Sequence, residues 1–389
     1  MRRAGLLITL TIALACTVVD AKEIDFTLVA VGDVGLNRHR VDVHSDGMDL
    51  WGKKVPFDKM TKGIARYING DLNFCNLETV VTDRNDLPTT EKAYNFRTHP
   101  NAVKLLVKVG FNLMSIANNH VRDYGAEGIA ETRKWMKKIG RKGRIHFAGC
   151  GRDIDEAATP AIFKVKGVRI AFAAVSIGTR ATAKRAGVVS THKPDVALKA
   201  LKQAKADIRI LSMHGGKERM LEPVGYQKNL ARRAIKDFGV DIVIGHHPHV
   251  VQGIERYGDG LILYSLGNFA LRGARNMGSI KELRGKGDFG LLVKLGMCWN
   301  TSKKRLTFRR LEALPVYDMH SGPHPFKKHA QATARIEVLN GLSKPFAKND
   351  PAVAFKDRDG RFFYEFAPKA KPKAKKKTSP EPAKTGAEG

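Results

Sequence analysis

Three histidines, His246, His247 and His249, fall within four positions of the stretch DIVIGHHPHVVQGIE, directly after an apolar run. Neutral imidazole is the commonest side-chain metal ligand. Packed this closely, the three invite a metal reading. The plainer alternative is a group of partly buried imidazoles with ordinary hydrogen bonds. Ile242, Val243 and Ile244 read as a fully buried strand that Gly245 ends, so the histidines fall on the loop past its carboxyl end. In open α/β sheets that is where ligands bind.

Four other apolar strands end in the same way. Asp33 sits in a glycine turn after DFTLVAVG, and Glu78 follows DLNFCNL. Asn119 and His120 follow a strand over residues 111–116, and His214 precedes the pair Gly215 and Gly216. Carboxylates, imidazoles and an amide oxygen form a borderline ligand set suited to Zn, Mn or Fe, with no thiolate among them. Two such ions about 3.5 to 4 Å apart are what phosphoester hydrolases use to clamp a phosphoryl group. Asn268, in SLGNF, either caps its turn or lines this site. His320 and His324 fall outside the set and read as surface histidines.

The elements that would position these residues follow from hydrophobic periodicity. Helical patterning is expected near residues 56–68, from Asn101 into the turn at Gly110, over 128–138 and over 227–238. Between these lie the apolar strands VRIAFAAVSIG and ADIRILSMH, and after them DGLILYSLGNFAL, GLLVKLGMCW and RLTFRRLEALPVY. Strands and helices that alternate early, with strands alone late, predict an α/β fold with an antiparallel component.

The motifs GDVGLNR, NLETVVTD, NLMSIANNHVRDYGAEGIAET, SMHGGKE, DIVIGHHPHVVQGIE and ILYSLGNF together resemble the bacterial capsule-synthesis protein CapA family. This family, also called poly-gamma-glutamate biosynthesis protein, has a domain similar to calcineurin-like metallophosphoesterases. The resemblance covers residues 26–269 and extends toward 317. It implies a four-layer αββα sandwich with the ligands at one edge, and one or two divalent transition ions (Mn, Zn or Fe). Carried over, it makes Asp33 a ligand of the first metal, Glu78 the carboxylate near or between the two, and Asn119 and His214 ligands of the second. His247 and His249 match the Gly-His-x-His motif of the superfamily, with His246 as a neighbour. His120 would assist the leaving group, and Asp123 would orient it. Gly35 stands where the wider superfamily has a histidine, and Gly215 where this family usually has a tryptophan. One ligand fewer weakens the first site, leaving a single ion, or none, as an alternative to two.

Composition bounds the rest. The formal charge of +30 over 389 residues predicts attraction to polyanions. No zinc-finger, helix-turn-helix or RNP-like pattern supports nucleic acid as the partner. Charge and resemblance together point to an acidic capsule or envelope polymer, with other polymer-synthesis proteins at the membrane as further partners. Arg2 and Arg3, the apolar segment that follows and Val19-Asp20-Ala21 read as a secretory signal peptide over residues 1–21. That implies export to the periplasm or cell envelope. The apolar segment is shorter than the roughly 20 residues of a spanning helix, and a lipid anchor at Cys16 is the alternative. Cys75, Cys150 and Cys298 remain after cleavage, without CxxC spacing, which favours buried free thiols over one disulfide. The expected organisation is a CapA-like domain over 24–320, an extension over 321–368, and a disordered Lys/Pro/Ala-rich tail over 369–389.

Overall fold

The computed structural model describes residues 22–367, apart from 38, 51, 273–276, 348 and 349. The expected signal peptide, Cys16 and the lysine-rich tail lie outside the described residues.

Two sheets form the centre. In the larger, ten strands are joined among the described residues, and the parallel run Glu23–Gly35, Leu72–Leu77, Leu113–Ser115 and His146–Ala148 lies beside the antiparallel pair Gly290–Asn300 and Arg305–Tyr317. The second sheet has six strands, with Val168–Ser176, Ile208–His214, Ile242–His246 and Gly260–Leu263 parallel and antiparallel strands at both edges. Its inner strands are runs of Ile, Val, Leu and Ala, the composition expected of a parallel sheet covered on both faces.

Strand alternation divides the second sheet's side chains between two cores. Ile208, Ile210, Ile242 and Ile244 point into the core shared with the larger sheet. Leu211, Met213 and Val243 point the other way, onto Leu198, Leu201, Leu230 and Ala234 of helices Asp195–Gln203 and Gly225–Phe238. On the outside of the larger sheet, helices Pro100–Val109 and Gly125–Ile139 bury Val103, Leu106, Ile129 and Met136. The order of layers is therefore helix, sheet, sheet, helix, the αββα sandwich that the motifs imply.

Three local expectations are corrected. Residues 56–68 do not form a helix but two 3-10 turns, Phe57–Met60 and Ala65–Tyr67. Gly63 lies between them, and a Cβ there would stand 2.6 Å from the Pro323 carbonyl oxygen, so close backbone approach rather than helical packing governs this segment. The strand expected to end at Gly245 runs on through His246, because His246 pairs with His214 in the parallel ladder. His320 is not on the surface: it is buried, with Nδ1 2.7 Å from the Leu271 carbonyl oxygen. Residues beyond Tyr317 add the helix His329–Ser343 and the strand Arg361–Glu365, which pairs with Arg305–Tyr317 at the edge of the larger sheet. Cys75, Cys150 and Cys298 are all free and buried. Among the described residues no helix is long and apolar enough to cross a membrane.

Candidate metal centre

The carboxyl ends of the parallel strands in both sheets meet at one edge, and there the predicted residues converge. Asp33 lies where the ladder between Glu23–Gly35 and its neighbours shifts register, opposite Asn76 on one side and Asn268 on the other. This irregularity turns its carboxylate toward the second sheet. Asp33 Oδ1 accepts from Asn76 Nδ2 at 2.8 Å, and Oδ2 accepts from the His247 backbone N–H at 3.3 Å. His249 Nδ1 lies 3.6 Å from Asp33 Oδ2 and 2.8 Å from Asn268 Oδ1. His214 Nε2 stands 2.6 Å from Asn119 Oδ1 and 3.5 Å from Glu78 Oε1. Ligand atoms of Asp33, His214 and His246 form one group within 4.8 Å of one another, and those of Glu78, His247 and His249 form another.

Two features mark the cluster as built rather than incidental. His247 and His249 adopt φ of 102° and 60°, a left-handed backbone that disfavours side chains larger than glycine and costs of order 1–3 kcal/mol per residue. Packing must maintain this strain, and Gly245 shows how tight that packing is: a Cβ there would stand 2.0 Å from the Tyr264 carbonyl oxygen. The second feature is a set of buried polar atoms without hydrogen-bond partners, namely both carboxyl oxygens of Glu78, His247 Nδ1, Asn76 Oδ1 and Asn268 Nδ2. Each such group costs roughly 1–3 kcal/mol when nothing satisfies it. Their concentration around two carboxyls and a set of imidazoles fits a transition-ion site.

Electrostatics of the metal-free fold leave Asp33, His214, His246 and His247 ready to donate and hold protons on Glu78 and His249 that a bound ion would displace. Burial pushes Asp33 up, but the close approach and charge of His249, with the Asn76 amide, outweigh it and keep the carboxyl below its usual range. Glu78 goes well above its usual range, first through burial and then through the neighbouring Asp33 charge. Burial drives His214 well down, His246 to about 4 and His247 to about 3, so these imidazoles keep lone pairs for a ligand near neutral pH. Burial opposes charge on His249 as well, yet Glu78 and Asp33 together lift it to about 10.

His120 stands beside this centre, with Nε2 3.9 Å from Glu78 Oε1. Its Nδ1 lies 2.6 Å from Asp123 Oδ2, and Asp123 also accepts from the Phe96 N–H at 2.7 Å and from Lys92 Nζ at 2.6 Å. Lys92 further donates to the Asn119 carbonyl oxygen at 2.8 Å. The expected orienting role of Asp123 thus has a geometry, and Lys92 completes it.

All ten sequence-selected residues meet at this edge: Asp33, Glu78, Asn119, His120, Asp123, His214, His246, His247, His249 and Asn268. Sequence reasoning missed Asn76, Lys92 and Ser212. The alternation S-M-H in the strand Ile208–His214 carries the signal for Ser212, since it shares a face with His214. At Gly35 a Cβ would come 2.9 Å from Leu271 Cδ1, the movable end of a side chain, so a larger residue there would require Leu271 to shift. At Gly215 a Cβ would meet the Tyr226 hydroxyl at 3.0 Å, so that ring occupies the space a larger side chain would need. A cavity of about 640 Å³ around Asp241 and Tyr257 lies at the opposite end of the same strands and contains none of the ligand candidates.

The profile of the family described as bacterial capsule synthesis protein PGA_cap matches residues 27–272. The chain is 32% identical over 256 residues to the capsule biosynthesis protein CapA of Bacillus anthracis, covering 62% of this chain and 59% of that protein. It therefore spans less than two thirds of that relative. Against the PGA biosynthesis protein CapA of Bacillus subtilis it is 30% identical over 340 residues, 84% of this chain and 82% of that one. Among solved structures, a phosphatase from Mycoplasma pneumoniae gives a TM-score of 0.44 at 13% identity, with 76% of this chain and 94% of that chain covered. The calcineurin-like phosphoesterase YfkN from Bacillus subtilis gives 0.40 at 12% identity, with 84% and 98% covered. The fold rests on the strand order above rather than on these two likenesses. By the extent of the profile match and the identity to the Bacillus subtilis relative, the chain belongs to the bacterial capsule synthesis protein PGA_cap family.

Proposed function

We propose that the protein is an exported, metal-dependent hydrolase of the phosphoesterase type that acts on a phosphoester or an envelope polymer in capsule or poly-gamma-glutamate synthesis. The observation that carries this reading is Glu78: a fully buried carboxyl beside Asp33 with neither oxygen hydrogen-bonded. Asp33, Glu78, Asn119, His214, His247 and His249 would hold one or two Mn, Zn or Fe ions. When bound, such an ion supplies Lewis-acid polarisation of a phosphoryl or carbonyl oxygen. His120 takes up and releases a proton at Nε2 while its Nδ1 stays on Asp123, and Lys92 fixes Asp123 against the loop that carries Asn119. Positioned proton transfer of this kind contributes about a hundredfold or more.

The test is hydrolysis of a generic aryl phosphate by protein reconstituted with Mn, Zn or Fe, beside a chelator-treated control. Metal-dependent turnover supports the reading. Tight metal binding without turnover favours a second one, in which the scaffold holds an acidic polymer without cleaving it. The charge of +30 and the glycine at position 35, which offers no ligand, support that alternative. Export is supported by the Arg2-Arg3 start and the short apolar segment; a mature mass beginning after Ala21 fits it, whereas a lipidated terminus at Cys16 means anchoring instead.

A further inference from the structure

We propose that His246 is a positioning residue for His214: together with Ser212 it forms a buried line that holds the His214 ring with Nε2 aimed at Asn119 Oδ1 and Glu78 Oε1, where an ion would bind. The inference rests on the metal-site reading above. Parallel pairing sets His214 directly beside His246 and Ser212 beside Ile244. Alternation then turns Ser212, His214 and His246 to the same side, into the gap between the sheets. His214 Nδ1 and His246 Nδ1 are 2.8 Å apart, and His246 Nε2 is 2.6 Å from Ser212 Oγ. All three side chains are fully buried, so they satisfy one another rather than water.

The protons have one arrangement that suits a ligand role for His214. Without an ion, its Nε2 is placed to donate to Asn119 Oδ1 at 2.6 Å, whereas with an ion between it and Asn119 Oδ1 and Glu78 Oε1, Nε2 must carry the lone pair. Its single proton then sits on Nδ1 and is donated to His246 Nδ1. His246 in turn carries its proton on Nε2 and donates it to Ser212 Oγ. Each imidazole keeps one proton, so no charge is buried. Asn76 Nδ2 also lies 3.2 Å from His214 Nδ1, but one of its two protons goes to Asp33 at 2.8 Å and a protonated Nδ1 cannot accept the other. Direct ligation by His246 would require one of its ring nitrogens to leave His214 or Ser212, since both are engaged. Outer partners of ligating histidines fix ring orientation and tautomer, and their loss typically costs 10–100-fold in metal affinity.

Two variants separate orientation from packing. His246→Phe keeps a ring beside Phe74, which lies 6.1 Å from the His246 ring, but removes the acceptor. His246→Asn places a side-chain oxygen near the position of Nδ1 and restores it. Mn²⁺ affinity is measured by competition titration, Co²⁺ absorption reports the ligand set, and melting of the metal-free proteins reports folding. Expected are about a 10–100-fold weaker Mn²⁺ affinity for His246→Phe, substantial recovery in His246→Asn, and unchanged Co²⁺ band positions in both when saturated. Affinity equal to the parent in His246→Phe overturns the positioning role while leaving the metal site intact. A changed Co²⁺ spectrum with no recovery in His246→Asn overturns it in favour of direct ligation. A parent protein that binds no ion overturns both this inference and the proposed function.

Discussion

Replacing Glu78 with glutamine should stabilise the metal-free protein and impair its metal-loaded form. Glu78 is 1% exposed, neither of its oxygens has a hydrogen-bond partner, and Asp33 adds like charge beside it. Burial and Asp33 hold its carboxyl well above the ordinary 4.5. In the metal-free fold the neutral acid is therefore favoured, whereas the unfolded chain ionises. Each unit by which the folded carboxyl lies above 4.5 costs about 1.4 kcal/mol once the unfolded chain has ionised. The sign follows from proton counts: above pH 4.5 the native state holds a proton that the unfolded state has lost, so stability falls as pH rises. Glutamine carries no such penalty, though its amide is still buried without partners. A net gain of roughly 1–2 kcal/mol is expected at pH 7, or about 1–3 °C in melting temperature for a chain of this size. Near pH 4 the gain should vanish. Adding Mn²⁺ should reverse the order, because the parent gains about 2.7 kcal/mol at a hundred times its dissociation constant while the variant has lost a ligand. Thermal melts with and without chelator at both pH values decide it. A variant less stable than the parent in chelator, with its metal-dependent rise intact, would refute the reasoning.

Other outcomes follow from the neighbouring geometry. His120→Gln should lose about a hundredfold or more in turnover while retaining its metal, read by aryl phosphate hydrolysis and elemental analysis; full turnover would remove His120 from the chemistry. Lys92→Met should destabilise the protein by about 2 kcal/mol, because Asp123 is fully buried and loses its 2.6 Å cationic partner; urea unfolding measures this, and an unchanged midpoint would count against it. Asp241, at the far end of the strand that delivers His246, is pushed by burial to about 6, so it penalises the fold increasingly as pH rises from 3.8 toward 6. Asp241→Asn can still accept from the Arg209 N–H, now 2.8 Å from the carboxylate. It should therefore stabilise by about 1–2 kcal/mol at pH 7.5 and by nothing at pH 3.5; an equal effect at both pH values would refute the assignment.

The site was more legible in the sequence than its supports. Asp33, Glu78, Asn119, His214, His247 and His249 could be found because each follows an apolar strand, and an α/β sheet gathers such ends at one edge. The role of His246 was not legible. It depends on the register between two strands more than thirty residues apart, which brings its Nδ1 to His214 rather than to the loop. Lys92 gave no signal because it lies in an irregular segment with no periodicity. His320 was misjudged for a related reason: its burial is decided by a carbonyl oxygen of Leu271, forty-nine positions away. At residues 56–68 helical patterning was real, but close packing of Gly63 against Pro323 prevailed over it.

On the reading proposed above, these strand ends form a transition-metal site. Elemental analysis of purified protein, stripped by chelator and reloaded with Mn²⁺ or Zn²⁺, tests it most directly when the parent is compared with an Asp33→Ala, His249→Ala double variant of verified fold. One or two ions per parent chain and a clear loss in the variant are the predicted result. No retained ion in the parent, or equal stoichiometry in parent and variant, would contradict it.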